Sequence, residues 1–155
     1  MQDMAIKATF DQNSIAAYIQ SKVDKIDQAI LNRLKYLGEQ LVNHAREFGS
    51  YMDQTGNLRN SIGYVVLKDG KMVVQNFQKT SQKPGAKGVR EGQQLANSLK
   101  VEFPKGYALI VVAGMNYAAK VESRGRNVLD SAEQLAKTEM PRMISELKLN
   151  INKMK

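Results

Sequence analysis

With 155 residues the chain is long enough for one domain with a hydrophobic core of its own. Its lack of cysteine excludes disulfides and thiolate metal sites, its single histidine argues against a histidine-built zinc site, and its longest apolar run, Tyr107 to Ala113, falls far short of the roughly 20 residues that span a bilayer. The net charge of +8 is concentrated: Lys and Arg number six against seven Asp and Glu in residues 1–53, twelve against four in residues 54–128, and five against four in residues 129–155.

Met1 to Phe10 lacks a basic start followed by an apolar block, so no secretory signal is expected. Ala5 to Phe10 alternates instead, with Ile6, Ala8 and Phe10 on one face and Lys7 and Thr9 on the other, which predicts a strand over residues 5–10. Asp11, Asn13 and Ser14 then offer N-caps. From Ile15 the apolar positions Ile19, Val23, Ile26, Ile30, Leu34, Leu37, Leu41, Ala45 and Phe48 follow at steps of three or four. That stripe predicts one helix over residues 14–48, roughly 50 Å long at 1.5 Å per residue. Such a length exceeds the needs of internal packing, so its ends should project and find another copy or another protein. Gly38 within it marks a bend or a close contact, and Gly49 is placed to end it.

Residues 55–62 form an elbow. Thr55 can cap a short helical turn through its hydroxyl, and Gly56 lets the chain enter that turn without strain. Leu58 and Ile62, four apart, then point together into a core while Arg59 points elsewhere. A hairpin over residues 61–77 follows, turning at Asp69-Gly70. Gln78 to Arg90 carries Lys79, Lys83, Lys87 and Arg90 with Pro84, Gly85 and Gly88 and no acid, so it reads as a basic surface loop suited to phosphate contact by charge without base stacking. Arg90 to Leu99 suggests a short helix with Leu95, Ala96 and Leu99 inward. Tyr107 to Ala113, apolar on both faces, reads as the central strand of the sheet. Met115 to Glu122 reads as a further strand or a turn-rich segment. Asp130 with Glu133 makes a capping-box-like start for a last helix over residues 130–150, which Pro141 should kink or split. The resulting fold class is α+β: a small, mostly antiparallel sheet with a hairpin, packed by one long N-terminal helix and a kinked C-terminal helix.

No catalytic constellation emerges from the residue types. His44 is the only imidazole and lies in the long helix, no phosphate-binding Gly-x-x-x-x-Gly-Lys motif is present, and Glu146-Leu147-Lys148 resembles a nuclease Glu-x-Lys without a partner carboxylate on a strand. No cofactor and no metal is expected.

Two local motifs, with the order of elements around them, resemble a known family. Gln54-Thr55-Gly56-Asn57-Leu58-Arg59-Asn60-Ser61-Ile62, directly after the long helix, is similar to the Thr-Gly-x-Leu-Arg-x-Ser-Ile of the small neck proteins of long-tailed phages, the tail-completion or head–tail joining proteins of the gene-product-ten-like family. Asn116-Tyr117-Ala118-Ala119-Lys120-Val121-Glu122-Ser123-Arg124-Gly125 is similar to that family's Tyr-Ala-x-x-Val-Glu-x-Gly, with Tyr117, Ala118, Val121, Glu122 and Gly125 at the motif positions. The close matches cover about 20 residues, counted along those two stretches. Departures are the absence of the proline that often precedes the first motif, the segment Arg126 to Asp130, and the longer insertion from Gln78 to Leu99. The resemblance implies a non-enzymatic subunit that assembles as a homo-oligomeric ring between portal or adaptor and tail tube, in the virion and, during assembly, in the host cytoplasm. On that implication Lys79, Lys83, Lys87 and Arg90 line a DNA channel or dock on an acidic ring. The charge alone supports a competing expectation, a stand-alone basic nucleic-acid-binding protein. A small hydrolase or nuclease is a third, and no partner membrane is expected under any of the three.

Overall fold

The structure, a computed structural model, describes residues 4–9, 11–52, 55–78 and 85–154. Helix α1 (Gln12–Glu47) begins at Asp11, whose carboxylate accepts from the Asn13 amide at 2.9 Å and the Ser14 hydroxyl at 3.0 Å. It ends at Phe48, not at Gly49, with the Phe48 amide donating to the His44 carbonyl. A short turn of helix, α2 (Asn57–Asn60), leads into the hairpin of β1 (Ile62–Lys68) and β2 (Lys71–Asn76). Helix α3 (Ala86–Leu99), a 3-10 turn (Lys100–Glu102) and strand β3 (Tyr107–Ala113) follow, then α4 (Ala118–Ser123) and α5 (Asp130–Lys153). The fold is α+β, with an antiparallel sheet in the order β2-β1-β3.

β1, not β3, is therefore the central strand, from Ile62↔Ala113 to Lys68↔Tyr107 on one side and from Tyr64↔Asn76 to Lys68↔Lys71 on the other. Tyr107 to Ala113 is apolar on both faces because helices cover both. Val111 and Leu109 pack on the side of α1 and α5, and Ile110 and Val112 on the side of α3. Side-chain pattern reports what lies above and below a strand and says nothing of its hydrogen-bonded neighbours. β1 is sealed in all directions: Ile62, Tyr64 and Val66 face α1, Val65 and Leu67 face α3, and all five are buried.

α1 packs across the sheet through Leu34, Val42 and Ala45, and α5 lies antiparallel on it, with Arg33 bonded to Glu146 at 3.3 Å near one end and Ala132 in the core beside Ala45 at the other. Gly38 is a close-contact position: a Cβ there would stand 2.5 Å from Cδ2 of the Tyr64 ring. The ring's hydroxyl donates to Glu39 at 2.8 Å, and the Asn76 amide donates to the same oxygen at 2.7 Å, so one carboxylate ties α1 to two strands. Burial and this carboxylate hold the Tyr64 phenol neutral well beyond its ordinary range. Further out, Asp27 accepts from Lys68 at 2.7 Å and from the Tyr107 hydroxyl, clamping α1 to the end of the sheet. Residues 11–21 and 23–25 are all exposed, among them Ile15, Tyr18, Ile19 and Val23. The first four turns of α1 project beyond the body, by roughly 22 Å from Gln12 to Asp27 at helical rise.

Two further expectations are corrected and two are narrowed. Residues 4–9 form no strand, because they precede a projecting helix with no strand of their own chain beside them; Phe10 lies outside the described residues. Residues 86–90 are the first turns of α3, not loop. Gly88 and Gly92 act there as close-packing residues: a Cβ at Gly92 would stand 2.5 Å from the Ser61 carbonyl, and the Gly88 amide donates to the Asn57 side chain at 3.2 Å. Met115 to Glu122 is a turn followed by α4. α5 runs through Pro141 without splitting and extends to Lys153.

Gly38→Ala should destabilise the protein by about 1–3 kcal/mol in urea unfolding, because overpacking against Tyr64 outweighs the ~1 kcal/mol gain in helix propensity; a net gain would contradict the close contact. The Asp27 clamp has a definite pH window. Hydrogen bonds from Lys68 and Tyr107 hold the Asp27 carboxyl below its ordinary range, and Asp27 raises Lys68 above its own. The clamp is thus complete from about pH 4 to about pH 10. It is lost as pH falls through the depressed Asp27 value or rises through the raised Lys68 value. Protection factors of amides near Asp27, taken relative to the intrinsic rate at each pH, should fall in acid before those of β1 do, and Asp27→Asn should abolish that dependence.

Candidate functional site

The two motifs, some sixty residues apart in sequence, meet in space. Gly56 adopts a left-handed conformation (φ 78°), which turns the chain into α2, and the Thr55 hydroxyl accepts from the Asn57 amide at 3.3 Å. Leu58 and Ile62 are both buried, but in different places: Ile62 faces α1, whereas Leu58 joins Met115, Ala118 and Val128 in a separate cluster. The elbow thus divides its two anchors between two cores. Between them, the Ser61 hydroxyl donates to the Leu58 carbonyl at 2.6 Å and its amide to Asn57 at 2.9 Å, so the turn is bonded internally. From α1, Arg46 donates to the Ile62 carbonyl at 2.7 Å, its guanidinium less basic than usual because burial disfavours the charge.

The second motif supplies the opposite wall. Ala118 and Val121 of α4 pack toward Leu58, and Gly125 (φ 79°) ends the helix in the left-handed form, its amide donating to the Glu122 carbonyl at 3.0 Å. Glu122 does most of the joining. Its carboxylate accepts from the amides of Val128 (3.0 Å), Leu129 (2.8 Å) and Asp130 (2.7 Å). These include the free donors at the start of α5, where a negative charge is also favoured by the helix dipole. Asn127 accepts from the Ser131 amide at 3.0 Å. The expected Asp130–Glu133 capping box is replaced by these longer-range caps, since Leu129 is the cap residue and makes no side-chain bond. Asn127 also donates to the Phe48 carbonyl at 2.9 Å, and its amide donates to the Ser50 hydroxyl at 2.6 Å, which fastens the end of α1 to the same knot.

An open cleft of about 880 Å³ lies between the walls, with Thr55 and Leu58 on one side and Tyr117 and Val121 on the other. Tyr51 and Met52 also line it, and the exposed Arg124 and Arg126 stand at its rim. Arg59 stacks over the Tyr51 ring at 6.0 Å, and its buried Nε makes no hydrogen bond among the described residues. An apolar, tyrosine-lined floor under a cationic rim suits an acidic partner segment with an apolar side chain.

The remaining nominated residues lie apart. Lys87 and Arg90 are exposed on the first turns of α3, and Lys79 and Lys83 lie outside the described residues. His44 stacks on Phe48 with ring centroids 4.6 Å apart, and Glu146 is paired with both Arg33 and Arg142. Among the described residues no three His, Asp or Glu side chains gather as a metal site, and no helix is long and apolar enough to cross a membrane. Local sequence could reveal each motif but not Glu122's role, because its three donors lie six to eight residues on, across a turn. Comparison with protein-family models, with curated proteins and with solved structures finds no match to this chain.

Glu122→Ala should cost about 1–2 kcal/mol, as for loss of a charged helix cap. Arg124→Ala, at an exposed position, should leave stability within about 0.5 kcal/mol. Equal stability of the Glu122 variant and the wild type in denaturant titration would contradict the capping role.

Proposed function

We propose that this chain is a non-enzymatic structural subunit of a tailed-phage or prophage virion, acting in head–tail connection or tail completion as a member of an oligomeric ring. The observation that carries this reading is the convergence of the two family-like motifs. Leu58 of the first and Ala118 of the second share one buried cluster, and Glu122 of the second organises the start of the closing helix. Stretches that resemble one family and also form one spatial unit support the resemblance beyond their local wording. The four projecting turns of α1, with Ile15, Tyr18, Ile19 and Val23 exposed, support an assembly role, since apolar side chains held away from their own core are available to neighbours.

On this reading portal or adaptor and tail-tube proteins are the partners, and the virion and the host cytoplasm during assembly are the locations. The basic segment with Lys79, Lys83, Lys87 and Arg90 then faces passing DNA or an acidic ring. The concentration of charge in residues 54–128 favours a second reading, a stand-alone nucleic-acid-binding protein. The two differ in isolation: the second requires DNA or RNA binding that weakens steeply with salt.

Deleting the gene from a phage or prophage that carries it should leave filled heads and separate tails under the electron microscope. Complete, infectious particles would overturn the neck reading. Replacing Lys79, Lys83, Lys87 and Arg90 by Gln should preserve thermal stability yet impair joining or DNA passage; unchanged infectivity would remove the role given to the basic segment.

A further inference from the structure

The two edges of the sheet are treated differently. β2 carries the exposed polar residues Lys71 and Gln75, and its pairing with β1 shifts register at Val66/Leu67, with Val73 exposed; charges and irregularities of this kind discourage further strand pairing. β3 has none of these protections. Its sequence, Tyr-Ala-Leu-Ile-Val-Val-Ala, holds no charge and no proline, and no strand pairs with its outer edge among the described residues. An apolar groove of about 340 Å³ runs along one side of that edge between Leu41 of α1 and Ala132 and Met140 of α5, floored by Leu109 and Val111. A second, of about 410 Å³, runs along the other side between Leu95 and Leu99 of α3 and the start of α5, where Asp130 and Glu133 add carboxylates. Val111, Leu129 and Glu133 border both.

The same chain carries a strand pattern with no strand. Ile6, Ala8 and Phe10 alternate with Lys7 and Thr9. In the structure residues 4–9 pair with no strand among the described residues, and Met4 and Ile6 have relative exposures of 99% and 101%. The arm's apolar face matches the groove between α1 and α5, which is apolar apart from Glu133. Its other face brings Lys7 toward the groove that holds Asp130 and Glu133.

The arm cannot lie along the edge of its own subunit with Ile6 and Ala8 in the groove. Helical rise puts Gln12 roughly 44 Å from Leu41, which lines the groove, whereas the chain from Ala8 to Gln12 spans at most about 14 Å. Only another subunit's β3 offers it that position. We propose that the arm Ala5–Phe10 of one copy adds as a fourth strand to the outer edge of β3 in the next copy, with Ile6 and Ala8 in the apolar groove. The contact joins an arm to an edge, two different surfaces, so it is heterologous; repeated from copy to copy it closes a ring or grows a filament. The inference rests on the ring-subunit reading and gives it a subunit contact.

The test compares the full chain with an Ile6→Asp variant and with a chain lacking residues 2–10. Light scattering is run across concentration, and hydrogen exchange is followed at β3. Residues 4–9 are exposed, so circular dichroism and thermal melts of the variants should match the parent. The full chain should associate and both variants stay monomeric, with β3 amides exchanging at least about tenfold faster in the variants. A synthetic peptide of the Met4–Phe10 sequence should restore that protection to the shortened chain, and its Ile6→Asp version should not. Association that survives loss of the arm, β3 amides equally protected in all three, or a full chain monomeric at every concentration would each overturn strand addition. None of these touches the neck reading, which is decided by particle morphology.

Discussion

β1 has a helical layer on each face and a strand on each edge, and no side chain from Ile62 to Leu67 meets water. Each such large apolar side chain contributes about 1.5–3 kcal/mol when fully buried, and a polar backbone group left unpaired there would cost a comparable amount. The surroundings of the strand follow from meeting both conditions. The elbow must deliver Ile62 at the right height, so α2 is bonded internally through Ser61, and Arg46 reaches from α1 to occupy the Ile62 carbonyl. α3 must approach closely on the other face, so the residues it presents to the elbow and strand are Gly88, Gly92 and Ala96. α1 must lie flat over Tyr64, which Gly38 permits and Glu39 fixes.

The knot made by the second motif extends this frame to the last helix. Glu122 and Asn127 between them bond the start of α5 and the end of α1, so α4, α5 and α1 are tied together there. Both motifs join elements of the frame. What they hold is the angle between elements, and with it the positions of three surfaces: the Arg-rimmed cleft, the projecting start of α1, and the bare edge of β3.

Elements whose evidence is periodic were legible in the sequence. The stripe from Ile15 to Phe48 predicted α1 to within a turn at its start, the Asp-Gly pair predicted the hairpin, with Asp69 taking the positive φ (51°) such a turn needs, and Asp130 marked the start of α5. What failed depended on partners distant in sequence. Two apolar faces on Tyr107 to Ala113 did not disclose which edge was paired, and Gly85 and Gly88 read as breakers because the elbow they pack against was not visible beside them. The alternation at Ala5 to Phe10 is a true strand pattern without a neighbour in its own subunit. Of the candidate site, Thr55 and Gly56 were readable from local turn chemistry and Leu58 from its apolar spacing, whereas Gly125 entered only with the family resemblance. The cleft that Thr55 and Leu58 share with Tyr117 and Val121 was not, since it exists only once β1 and β3 have brought the motifs together.

The surfaces of this subunit make sense together if copies stand side by side around an axis. The arm and the bare edge are then complementary halves of one contact, the apolar start of α1 is covered by a neighbour, and the cleft with Arg124 and Arg126 is left for a different, acidic partner. Symmetry-resolved electron cryomicroscopy of particles carrying a small fusion on this chain's C-terminus tests that arrangement most directly. The account predicts a closed ring of fusion density at the junction of portal and tail; purified particles with no such density, and the tagged chain recovered only outside them, would contradict it.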